Sequence, residues 1–302
     1  MQQTGFTTNV IVGAAMALAF TVPAEALNNR SFVATTGSDA NACTPTAACR
    51  SFAAALAVTS PGGEIVVVTS GGYGPATINQ PVLITAIGID ASITATPGNP
   101  GLTINTTGNV TLTGLRLHGE GTASNGIVVS AVGFLRLYDV QVENFAADGI
   151  QFGVGGNLAL YDSKITDCQI GLAVTNPSAK AYVHNSAFDN NSIAGAQVTG
   201  GGMMTIADSS AHYNNIAFYA EGGTMKLIGD RAVFNQVGIA ASGTTDPQGA
   251  GQLYFADCLL SDNATSYSVA SGGTMAGSSP GTTLLTPGQT PSGTLSTAIT
   301  LL

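Results

Sequence analysis

Tryptophan is absent from this chain, and only 8% of its 302 residues carry charge: 8 Lys or Arg against 17 Asp or Glu. Histidine occurs three times. Scattered cations and a net charge of −9 disfavour nucleic acid and anionic lipid as partners, because both demand clustered Lys and Arg. A polyanion would also meet net repulsion, unless a bound cation or a local basic patch offset it. What is plentiful is apolar or small, with 44% hydrophobic residues and 39 Gly. Such a chain has enough apolar surface to fold, and its composition fits a β-rich secreted protein.

Long hydrophobic runs are lacking too. Val10 to Val22 (VIVGAAMALAFTV) is too short to span a bilayer, and Pro23 with Ala24-Glu25-Ala26 behind it makes an A-x-A-like cleavage site. Residues 1–26 are therefore expected to be a secretory signal, although residues 1–9 contain no Lys or Arg. The remaining chain is expected to be secreted or periplasmic, with no membrane span. Cysteine is scarce, with four in all. Cys43 and Cys49 share one short loop, where an oxidising compartment favours a disulfide over two free thiols. No His lies close enough to complete a metal site, and no cofactor is implied. Cys168 and Cys258 are expected to sit too far apart to pair and to act as small apolar fillers.

Four residues recur at a spacing of 23: Asp139, Asp162, Asn185 and Asp208. The surrounding pattern repeats with them, as LRLYDVQVEN, LALYDSKITD, AYVHNSAFDN and MTIADSSAHY. A fixed period in the twenties signals a solenoid. Between Gly133 and Gly155, Leu135 and Leu137 alternate with Arg136 and Tyr138, so the leucines face one way. Asp139 then breaks the line as a corner, since Asp and Asn accept turn conformations closed to β-branched residues. Val140 and Val142 resume inward, Asn144 starts a second turn, and Ile150 to Phe152 makes a third strand. Six residues past successive corners stand Asn191, Asn214, Asn235 and Asn263, a column able to stack as a hydrogen-bonded ladder. Turning and stacking is the role expected of all eight. A calcium site would need several carboxylates converging on one point, and Asn185 interrupts them.

Arg50 to Thr59 predicts a short amphipathic helix, stopped by Pro61-Gly62-Gly63 and placed to cover the open end of a solenoid. The segments FVATTGSDAN, SFAAALA, GGEIVVV and SGGYG resemble the opening of bacterial right-handed parallel β-helix proteins of the pectate-lyase-like superfamily. The later coils are similar to that family's generic repeat, and the resemblance covers about residues 31–275. It implies an all-β fold: a single-stranded right-handed parallel β-helix of three-strand coils over 27–275, with an N-terminal cap near 31–63. Residues 276–302, rich in Ser, Gly, Thr and Pro, are expected to be a tail or a frayed last coil. Activity is not implied, because the superfamily includes lyases, hydrolases, epimerases, phage tailspikes and proteins without known activity.

In the superfamily's pectinolytic enzymes, activity sits on the outer face of the third-turn region and the strand after it. Projected there, this sequence presents Val128, Gln151, Ala173, Gln197, Tyr219, Ala240 and Ser268, with no carboxylate, His, Lys or Arg. Asp148 and Glu221 are three coils apart, about 14 Å, beyond the ~9.5 Å limit of a glycosidase pair. The superfamily's catalytic motifs are missing as well. The weak catalytic candidates are His118, Glu143 and Lys164, expected to point outward within reach of one another. A solvated face of opposite charges is the simpler account of them. Binding candidates are the stacked Tyr138, Tyr161 and His184, together with Gln151, Gln197 and Tyr219 on the projected column. Stacked rings either meet sugar faces or merely brace adjacent strands. The function expected is a non-catalytic solenoid that binds polysaccharide, cell-envelope glycan or protein. The alternatives are a divergent polysaccharide lyase or glycoside hydrolase, and a purely structural solenoid.

Overall fold

The computed structural model describes residues 27–243, 249–270, 272–277 and 284–285. The expected signal segment lies outside them, as does most of the expected tail. Each coil lays down three short strands, such as Phe134–Tyr138, Gln141–Glu143 and Ile150–Phe152, before the next begins at Gly156–Tyr161. Strands of successive coils pair in parallel into three sheets, of 11, 10 and 9 strands among the described residues. These are called the first, second and third sheets in the order a coil visits them. The chain is a right-handed parallel β-helix.

Register explains why a short repeat suffices to specify the fold. Leu135 pairs with Leu158, Val142 with Ile165 and Ile150 with Leu172, so equivalent positions stack into rows along the axis. The inward rows are fully buried at Leu137, Val142, Ile150 and Phe152, each contributing about 1.5–3 kcal/mol of hydrophobic stabilisation. A slip of one residue would turn every such side chain outward.

The corners carry a left-handed backbone. φ is +50° at Asp139, +52° at Asp162, +47° at Asn185 and +51° at Asp208, where Asp and Asn are tolerated and β-branched residues are not. Gly229 takes the next corner at φ +72°, and a Cβ there would sit 2.8 Å from Asp208 Oδ1. Neighbouring corners touch, with Asn185 Nδ2 donating to Asp162 Oδ1 at 2.6 Å.

Two internal ladders stitch the coils together. Asn191, Asn214, Asn235 and Asn263 are buried, and each Oδ1 accepts a backbone N–H from the coil before at 2.8–3.1 Å. One residue past the corners runs a second column that the sequence reading did not single out. Ser163, Ser186 and Ser209 each accept a backbone N–H at 3.1–3.2 Å, and Asp230 closes the series by accepting from Ser209 at 2.8 Å. Cys168 and Cys258 are more than apolar fillers. Cys168 occupies the asparagine column and donates its N–H to Asn191, while Cys258 follows Asp230 in the serine column and its thiol donates to Ala256 O.

At the N-terminal end the helix is shorter than expected, Phe52–Val58. Ser51 Oγ caps it by accepting Ala54 N–H at 3.2 Å, and Phe52 and Ala55 are buried against the first coil. Pro61, Gly62 and Gly63 do not stop the helix. They lie inside the strand Thr59–Val67, which pairs in parallel with Asn28–Val33. A disulfide joins Cys43 and Cys49 across Cα atoms 4.7 Å apart, and their carbonyl and amide bond the backbone of Phe32. At the other end, Thr274–Gly277 pairs with Gln252–Ala256 and Leu284–Leu285 with Leu259–Leu260. Sheet pairing thus continues beyond residue 275.

Candidate functional site

The catalytic candidates do not assemble. His118 Nδ1 is 3.4 Å from Glu143 Oε1, but the parallel register places Gln141 opposite Lys164 and Thr166 opposite Glu143. Lys164 pairs instead with Asp189 Oδ2 at 3.1 Å, whose other oxygen meets His212 Nδ1 at 2.9 Å. The second sheet therefore sets opposite charges beside one another across strands, although His118 Nδ1 is buried without a hydrogen-bond partner, and the three candidates fall into two separate pairs.

The column running from Val128 to Ser268 proves to lie on the third sheet, whose strands lead into the third turn. Strands that leave that turn belong to the first sheet. Within the column, Gln197 is buried rather than presented, and its Nε2 donates to Glu221 Oε2 at 2.6 Å. Ala173 is buried between Gln151 and Gln197, and Ala240 between Tyr219 and Ser268, because a methyl between longer neighbours is covered by them. Tyr219 is half-buried with its hydroxyl 2.7 Å from Ser242 Oγ, and burial pushes its pKa up, away from use as a base. Gln151 remains partly exposed. Asp148 is pushed up to about 6 by burial.

The first sheet offers a different surface. Tyr138 and Tyr161 stack with centroids 5.0 Å apart and planes 7° apart. Tyr161 then tilts toward Tyr182 at 5.9 Å and His184 at 6.4 Å. Tyr182 is exposed and lies in register between the buried Ala159 and the smaller Thr205. His184 Nε2 is held 3.3 Å from Asp208 Oδ2. Exposed Lys180 lies two residues before Tyr182, and exposed Lys226 stands opposite Thr205. Arg136 lies over the Phe134 ring at 3.7 Å. The strands of this sheet from Asn109–Thr113 to Gln252–Ala256 contain no Asp or Glu. Three of the eight Lys and Arg thus share one outward face with the rings of Phe134, Tyr138, Tyr161, Tyr182 and His184. Lys180 shares its face with Tyr182 by strand alternation alone, whereas Lys226 joins that face only through register.

A third surface was missed altogether. The second turn has a left-handed residue in every regular coil: Asn144, Asp167 and Asn190, then Tyr213 and Phe234, then Asp262. Tyr213 and Phe234 are 64% and 51% exposed and stack at 5.5 Å with planes 9° apart. They border a groove of about 760 Å³ whose lining includes Asp167, Asn190, Asn215 and Gln236. The signal was available, as aromatics in a column otherwise filled by Asp and Asn.

No group of three or more His, Cys, Asp or Glu among the described residues could hold a metal ion, and no helix among them is long and apolar enough to cross a membrane. Residues 86–211 match the family model described as "Right handed beta helix region". No curated protein matches this chain in sequence. Among solved structures it is similar to the alginate lyase from Paenibacillus sp. str. FPU-7, with a TM-score of 0.66 and 12% identity, covering 81% of this chain and 95% of that one. It is similar to XylC, solved in complex with xylose, at TM-score 0.54 and 8% identity over 82% and 69% of the two chains. Pectate lyase Pel9A follows at TM-score 0.51 and 15% identity over 90% and 77%. At such identities the likeness concerns the fold, on which many chemistries are grafted.

Proposed function

We propose that this right-handed parallel β-helix is a secreted or periplasmic glycan-binding protein without catalysis, and that the outward face of its first sheet takes anionic polysaccharide. The observation that carries this reading is the gathering of Lys180, Lys226, Tyr182, Tyr161 and His184 on strands free of Asp and Glu. An acidic protein repels a polyanion unless a local patch reverses the field, and Arg136, Lys180 and Lys226 supply cations on this face, bordered by the corner carboxylates Asp139, Asp162 and Asp208. Amphipathic rings beside cations suit a uronate chain, whose sugar faces are apolar and whose carboxylates pair with ammonium groups. Two of the structural relatives named above are lyases of polyuronates by name, which favours the same ligand class. The separate ion pairs of the second sheet favour binding over turnover, because general acid–base work needs titratable groups that converge on one substrate.

Sedimentation with calcium-gelled alginate and with polygalacturonate tests the reading. Binding that weakens with added salt, with no unsaturated product absorbance in the supernatant, is the expected result. Product absorbance would replace binding by lyase action at the same face. Background retention on both polymers would remove the proposal.

A further inference from the structure

We infer that the second-turn groove beside Tyr213 and Phe234 is a separate binding site for a neutral glycan. Both residues hold φ at +59°, a region that disfavours side chains branching into a ring and favours Asn or Asp. Every other left-handed position in this turn from Asn144 to Asp262 is Asn or Asp, so turning the chain does not require an aromatic here. Nor does the core, since both rings project into solvent. Mutual stacking braces the two coils, but large exposed rings on a left-handed backbone go beyond what turning requires and point to a ligand.

The lining says which ligand. Tyr213 and Phe234 stack with their planes parallel on consecutive coils, and both stay exposed, so ring edges and outer ring surface remain for contact with a ligand. Beside them stand the exposed amides of Asn215 and Gln236, each able to donate and accept in the way vicinal sugar hydroxyls require. The one carboxylate, Asp167, already accepts from Asn190 Nδ2. No Lys, Arg or His lines the groove. A charged polymer finds no counter-charge here, whereas a pyranose finds an apolar platform for its C–H face and amides for its rim. This site is independent of the first-sheet face, with different residues and a different ligand charge.

The test uses the purified chain with cellohexaose, xylohexaose and mannohexaose in saturation-transfer NMR and calorimetry. At least one is expected to bind, with affinity unchanged by salt, which separates this site from the salt-sensitive first-sheet face. The double variant Tyr213→Asn, Phe234→Asn installs the residue type that the turn prefers. It is expected to stay folded and to lose binding at least tenfold, while Tyr213→Phe retains it. If none of the three sugars binds, or if the Asn variant binds as well as the parent, the inference is overturned. It is likewise overturned if the groove retains a protein while ignoring every sugar.

Discussion

Asn214 receives two bonds from Asn191 through one oxygen: its Oδ1 accepts the Asn191 backbone N–H at 2.8 Å and the Asn191 Nδ2 at 3.0 Å. In turn its Nδ2 donates to Phe188 O at 2.9 Å and to Asn235 Oδ1 at 3.0 Å. All of these atoms are buried, so the ladder is satisfied only as a whole. Asn214→Ala leaves a backbone N–H and a carbonyl without partners, each costing about 1–3 kcal/mol. A loss of about 3–4 kcal/mol in urea unfolding is expected. Asn185→Ala, at an exposed corner, is expected to cost only the left-handed penalty of about 1–2 kcal/mol. Equal losses for the two would contradict this account of the ladder.

Asp230 stands where the preceding coils have serine. It is 1% exposed, and burial pushes its carboxyl from 3.8 to about 7, although two backbone N–H donors, Ser209 and Ile228, oppose the shift. A raised folded pKa means that stability is full below the unfolded value and falls as pH rises toward the folded one. The window is therefore roughly pH 4 to 7, and the loss is on the order of 4 kcal/mol. Asp230→Ser is expected to remove this dependence: near-neutral at pH 4 and stabilising at pH 8, by thermal unfolding at both. A variant no more stable at pH 8 than the parent would contradict the assignment.

The face around Tyr182 makes its own prediction. Lys226→Gln removes one of two exposed ammonium groups and is expected to weaken polyuronate retention several-fold while flattening its salt dependence, in line with a lost surface charge contact. Tyr182→Ala is expected to weaken retention without changing the salt slope. Each is exposed, so melting temperatures should stay within a few degrees of the parent. Salt slopes from sedimentation at three ionic strengths distinguish the two roles.

Thiol chemistry divides the four cysteines cleanly. Burial pushes the Cys168 thiol up to about 11 and the Cys258 thiol up to about 12, so neither offers thiolate near neutral pH. Native protein is expected to react with no thiol reagent, and denatured, unreduced protein with two equivalents. Replacing Cys43 and Cys49 by Ser opens a loop of sequence separation 6, with an expected cost of about 2 kcal/mol for so short a closure. Reaction of either buried thiol in the native state would indicate coil opening that the ladders should prevent.

The repeat of Asp139, Asp162, Asn185 and Asp208 was enough to read the coil, its corners and its inward rows, because a solenoid makes each local period a spatial one. The period alone determined that Leu135 stacks on Leu158 and that Asn191 stacks on Asn214. A helix at Phe52–Val58 was legible for a similar reason, as a local pattern. The strand Asn28–Val33 was not, since it carries no repeat and is recruited only by the edge of Thr59–Val67.

Function was less legible, and the reason is geometric. Which side chains share a face depends on where each turn delivers the next strand, and on register to within one residue. Sequence spacing set Glu143 beside Lys164, whereas the parallel register gave Lys164 to Asp189. It set Gln197 in the open, whereas Glu221 and its neighbours cover it. Only the coiled chain brings Lys226 onto the wall of Lys180 and Tyr182, and only its backbone angles expose Tyr213 and Phe234 as residues held where Asn would be easier. The sequence by itself determined the solenoid through its period. The tertiary structure decided which outward residues meet, because coils stack residues that lie more than twenty positions apart.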